Sequence, residues 1–90
     1  MTDPVVILLP DALVRLFPGS ARRVEVTAAT VAEAVAALDR RWPGMADRLC
    51  DSTPAIRRHL NIFVDGDKAR LHTALRPGGE MIVMTAMSGG

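Results

Sequence analysis

Ninety residues, 49% apolar and 23% charged, make one globular domain with a single modest core, neither a disordered chain nor two domains. A net charge of +1 and 3% aromatic content argue against nucleic-acid and membrane-surface binding, which draw on clustered charge or stacking rings. The lone cysteine, Cys50, excludes an internal disulfide and fits a reducing cytoplasm, while Met1-Thr2-Asp3-Pro4 has no basic leader and Val5 to Leu9 is too short an apolar run to span a membrane.

Val5 to Leu9 is β-branched, apolar and stopped by Pro10, which predicts a short strand covered on both faces. Asp11 to Phe17 reads either as one helical turn capped by Asp11 or as a loop with Leu13 and Leu16 tucked in. Pro18-Gly19-Ser20 is a turn, and Arg22 to Thr27 alternates polar and apolar as a half-exposed strand does. Thr30-Val31-Ala32-Glu33 is a capping box, and Val31, Ala34, Val35, Leu38 and Trp42 follow as one apolar helical stripe up to Pro43-Gly44. Met45 to Cys50 predicts a short second helix presenting Met45 and Leu49. Leu60 to Val64 predicts a third strand, Asp65-Gly66 a hairpin turn, and Lys68 to Leu71 a short fourth strand. After a loop holding Pro77-Gly78-Gly79, Glu80 to Ala86 predicts the fifth strand.

The order is thus β-β-α-(short α)-β-β-β. The first and last strands are the most continuously apolar, so they belong side by side at the centre of the sheet with their hairpin partners outside. That gives an α+β class and a ubiquitin-like β-grasp: a mixed sheet of four to five strands on one main helix, with a short second helix. Residues 1–90 form the single domain, and the central last strand is expected to project residues 86–90 outward as a Gly-Gly tail. Two glycines at one given place arise by chance roughly once in 200 chains, at about 7% glycine usage. Lacking a Cβ, Gly89 and Gly90 suit a narrow channel in a partner, which points to the terminal carboxylate as the reactive group.

No other residue competes for that role. His59 and His72 stand in no metal-ligand spacing, so no metal is expected. Cys50 beside Asp51 is not set up as a thiolate, Ser88 lacks a nucleophile elbow, and Pro77-Gly78-Gly79-Glu80 is a turn rather than a phosphate loop. The chain therefore reads as a carrier or protein co-substrate and not as an enzyme. The methionines near its end are adaptable core fillers, but alternation sets Ile82, Met84 and Ala86 opposite Met81, Val83 and Thr85. Since one helix covers only one face, Ile82 and Met84, with Leu9 on the neighbouring strand, are the expected partner-docking face.

The first strand, Thr30-Val31-Ala32-Glu33, Trp42-Pro43-Gly44, Leu60-Asn61-Ile62-Phe63-Val64-Asp65-Gly66, Gly78-Gly79-Glu80-Met81-Ile82-Val83 and Met87-Ser88-Gly89-Gly90 together resemble the MoaD/ThiS family of ubiquitin-like sulfur carriers. The resemblance spans nearly the whole chain. It departs at Pro77-Gly78-Gly79-Glu80, commonly Asp-Gly-Asp, and at Asp65, often asparagine. It implies that an adenylating partner similar to ubiquitin-activating enzymes uses ATP and Mg²⁺ to activate Gly90, and that a persulfide donor then leaves a thiocarboxylate there. No cofactor is bound by the chain itself. Met87, Ser88 and Gly89 thread the tail into the partner, and the sulfur passes to a molybdopterin synthase large subunit or a cysteine synthase. Two other classes compete: a protein modifier joined through Gly90 to lysines, and a β-grasp binding module with an inert tail.

Overall fold

A computed structural model describes residues 3–85 and builds them as β1 (Val5–Leu8), α1 (Asp11–Leu16), β2 (Arg23–Val26), α2 (Val31–Arg41), α3 (Met45–Leu49), β3 (Leu60–Val64), β4 (Asp67–Lys68) and β5 (Glu80–Thr85). The strands form one mixed sheet in the order β2-β1-β5-β3-β4. β1 and β5 run parallel at its centre, β2 pairs antiparallel with β1, and β3 pairs antiparallel with β5 and β4. This is the β-grasp that the apolar first and last strands predict.

One face of the sheet packs on the helices. Val5, Ile7, Val24, Val26, Leu60, Ile62, Val64, Met81 and Val83 alternate inward along their strands and are buried. They meet the stripe Val31, Ala34, Val35 and Leu38 of α2, and Met45 and Leu49 of α3. Burying an aliphatic side chain of this size contributes about 1.5–3 kcal/mol, so the alternation fixes which face is inside.

The N-terminus of α2 is satisfied from two directions. Glu33 N–H donates to Thr30 Oγ1 at 3.2 Å, and Ala29 N–H donates to Glu33 Oε1 at 3.1 Å, closing the capping box. Val31 N–H donates to Thr73 O and Ala32 N–H to Leu71 O, which gives the remaining first-turn donors backbone partners. That duty shortens the fourth strand. Pairing stops at Lys68, apart from Ala69 N–H donating to Ile62 O, because the chain from Leu71 onward leaves β3 to serve the helix. The predicted strand through Leu71 is corrected accordingly.

Between α2 and α3 the chain turns at Gly44, whose φ of 100° lies in the left-handed region that a Cβ disfavours. Asp39 Oδ1 accepts from both Gly44 N–H and Ala46 N–H at 3.0 Å, fastening the start of α3 to the end of α2. Asp11 to Leu16 resolves as a helix rather than a loop. Pro10 stands at its N-cap and Asp11 lies within its first turn, so Asp11 is not the cap. Leu13 is buried, but Leu16 is 53% exposed and not tucked in.

Candidate functional site

β5 supplies the candidate site because it sits at the sheet's centre and its last described residue, Thr85, lies opposite Leu60 of β3. Its start is held in place by the β3–β4 turn. Asp65, itself at a φ of 49°, presents Oδ1 to Glu80 N–H at 3.0 Å and Oδ2 to the Arg76 guanidinium at 3.2 Å. The Glu80 N–H and, secondarily, Arg76 hold the Asp65 carboxyl below the usual carboxylate range. Gly79 is needed beside this contact: a Cβ there would lie 2.9 Å from Arg76 O and 3.3 Å from both Asp65 carboxylate oxygens.

The face of the sheet away from the helices carries an in-register row across all five strands. Arg23, Leu8, Ile82, Phe63 and Lys68 are successive partners from β2 to β4, so their side chains share that face. Leu8, Ile82 and Phe63 are half-buried while Arg23 and Lys68 are exposed, giving an apolar centre with a cation at each edge. Beyond the row, Met84 faces the same way, opposite Asn61, and is 48% exposed. The expectations for Ile82 and Met84 therefore fall on an open, largely apolar surface.

Leu9 does not. It is only 5% exposed and belongs to the core, because alternation along β1 sends Val5, Ile7 and Leu9 inward and Val6 and Leu8 outward. Leu8 replaces Leu9 in the face, and Phe63 joins it. Both were readable from strand phase: Phe63 is out of step with Leu60, Ile62 and Val64, as Leu8 is with Val5 and Ile7. The same one-sided burial corrects the expectation that the first strand is covered on both faces.

The remaining candidates are scattered. Burial and then the neighbouring Asp51 push the Cys50 thiol above its ordinary value, the opposite of what a nucleophile needs. His59 and His72 line different grooves, one beside Leu16 and Phe17, the other beside Lys68 and Arg70. Among the described residues no cluster of three or more metal-ligating side chains occurs, and no helix is long and apolar enough to cross a membrane. Met87, Ser88, Gly89 and Gly90, the tail residues, lie outside the described residues.

Comparison with known proteins gives a family and similar folds for the chain as a whole. The model of the ThiS family matches residues 7–90. A chain of the BexX/CysO complex of Amycolatopsis orientalis superposes with a TM-score of 0.84 at 26% identity, covering 96% of this chain and 99% of that one. SAMP1 of Haloferax volcanii superposes with a TM-score of 0.79 at 27% identity, over 97% of this chain and 99% of its own. Urm1 of Trypanosoma brucei shares the fold alone, with a TM-score of 0.69 and 14% identity over 99% of this chain and 97% of its own. No curated protein matches the sequence.

Proposed function

This chain belongs to the ThiS family of ubiquitin-like sulfur carriers, and on that premise we propose that it carries sulfur on the carboxyl group of Gly90. The observation that carries the reading is the position of β5. It is the central strand, it is locked at its start by Asp65, and it leads from Thr85 directly into the stretch that the family match follows to Gly90. Extended at about 3.3 Å per residue, Met87 to Gly90 reaches roughly 13 Å into a partner. Gly89 and Gly90 keep that reach narrow, and Gly90 bears the chemistry.

An ionised carboxylate is a poor electrophile, so activation comes first. An adenylating partner with ATP and Mg²⁺ lets a Gly90 oxygen attack the α-phosphorus, with pyrophosphate leaving. A persulfide sulfur then attacks the acyl carbon and AMP leaves. Cleavage of the resulting acyl disulfide by a second thiol of the donor frees the thiocarboxylate. The chain itself supplies the acyl group and the docking surface, and no side chain of it acts as acid, base or nucleophile. The open face of Leu8, Ile82, Phe63 and Met84 seats the adenylating enzyme and, in turn, a molybdopterin synthase large subunit or a cysteine synthase. A solved relative in complex with a second protein, BexX, supports a life spent docking.

A second reading has an observation of its own. SAMP1 of H. volcanii, the relative at 27% identity, is by name a small archaeal modifier protein, and a modifier would turn the same activated glycine on a lysine amine. Mass spectrometry of protein recovered from its own cells separates the two. Replacement of one oxygen by sulfur on the C-terminal peptide is the result expected here. C-terminal peptides of this chain joined through Gly90 to lysines of other proteins, with no sulfur on Gly90, would transfer the assignment to a modifier.

A further inference from the structure

Beside the candidate site, at the β3–β4 edge of the sheet, lies a groove of about 510 Å³ with one-sided charge. Arg57, Arg58, Lys68, Arg70 and His72 line it, and no carboxylate does. The chain as a whole is nearly neutral, with eleven Lys and Arg against ten Asp and Glu. Outside this groove seven cations therefore face all ten anions, so the positive charge is segregated here. None of the ion pairs among the described residues involves a groove cation: those pairs are Arg22–Asp11, Arg23–Glu25 and Arg76–Asp65. Arg57 is also fixed in place, its Nε donating to Asp47 O at 2.6 Å and its backbone N–H to Leu49 O at 2.9 Å. Asp51 lies near Arg57 without forming an ion pair with it; cations without ion-pair partners in a cleft focus their field on whatever enters.

The rest of the lining selects among anions. Ile56 and Leu71 are half-buried within it, and Pro54 and Ala55 extend the apolar part. No Phe, Tyr or Trp ring offers a base a stacking surface, and no glycine loop brings backbone N–H groups to a phosphate. An apolar floor under a cationic rim fits a peptide segment bearing both carboxylates and aliphatic side chains. Leu60, another lining residue, is the register partner of Thr85, so the groove lies at the end of the sheet where β5 leads into the tail.

We propose that this groove binds an acidic, aliphatic-bearing segment of the protein that receives the tail. That the segment belongs to the tail's recipient rests on the carrier reading; the groove's preference for such a segment does not. A protein held at both places is fixed in orientation as well as in contact, and its approach is steered by charge.

The test is a ¹⁵N-resolved NMR titration of the full chain with the peptide Glu-Leu-Asp-Glu-Ile-Asp. Its Gln/Asn counterpart, inorganic tripolyphosphate and an oligouridylate serve as comparison ligands. The acidic peptide is expected to shift amides of residues 54–58 and 68–72, and binding should weaken about tenfold when the salt is raised from roughly 50 to 200 mM. The double variant Arg58→Glu/Arg70→Glu should lose at least about tenfold in affinity, and Arg58→Lys/Arg70→Lys should retain it. Because both side chains are exposed, the variants' undisturbed spectra elsewhere report folding. Equal binding of the Gln/Asn peptide, no shifts in the groove, or tighter binding of tripolyphosphate or the oligouridylate would each overturn the proposal. A Gly90-deleted chain should bind the peptide unchanged, so the groove and the tail are tested separately.

Discussion

Ile7 lies directly opposite Met81 in the parallel pairing of β1 with β5, and both are fully buried. This pair joins the first and last strands at the centre of the sheet, and so it helps set the position of β5 up to Thr85. Met81→Ala removes most of a side chain from the point where sheet and helices meet. It is expected to cost about 2–5 kcal/mol in denaturant unfolding, the range for large-to-small core changes. Met84→Ala, on the open face of the same strand and 48% exposed, should cost a small fraction of that.

Asp39 holds the α2–α3 junction through two backbone donors, Gly44 N–H and Ala46 N–H. Asp39→Ala leaves both without this acceptor and is expected to lower stability by about 1–2 kcal/mol. Thermal unfolding measures the loss. Asp39→Asn keeps a carbonyl acceptor and should recover most of it.

Asp65 makes the fold sensitive to acid. Its carboxyl titrates below the usual range in the folded chain because it accepts the Glu80 N–H and pairs with Arg76, and near 3.9 when unfolded. A depressed folded value means that the unfolded chain takes up the proton first. The contribution is therefore complete above about pH 4 and is lost as pH falls through the lower folded value. Asp65→Asn keeps the acceptor for Glu80 N–H and tolerates the positive φ, yet it cannot titrate. Its stability should fall less steeply than the parent's below about pH 4, as read from urea unfolding across that range.

The open face should matter to partners and hardly to folding. Met84→Glu places a charge on an already exposed position opposite Asn61. In adenylation assays it is expected to raise KM for the carrier about tenfold with kcat nearly unchanged, the mark of lost docking. An unchanged KM would place the adenylating enzyme elsewhere on the surface.

Much of this was legible because periodicity and turn chemistry agree locally. Thr30 to Arg41 announces its helix by cap, stripe and stop, and the two most apolar strands announce the sheet's centre. The misread parts depend on distant partners. Leu71 looks like strand, but its carbonyl is drawn to the free Ala32 N–H in the first turn of α2. Leu9 looks like part of a docking face until the phase of β1 is followed from Val5 through Ile7. The cationic groove joins residues 54–58 to residues 68–72, which lie apart in sequence and meet only when β4 folds back along β3.

The most direct test of the carrier reading compares the full chain with one lacking Gly90. Both are incubated with an adenylating enzyme from the same cells, ATP, Mg²⁺ and a persulfide donor, and the intact mass of each is measured. One oxygen is expected to be replaced by sulfur on the full chain and none on the shortened one. Equal sulfur uptake by the Gly90-deleted chain would contradict that reading.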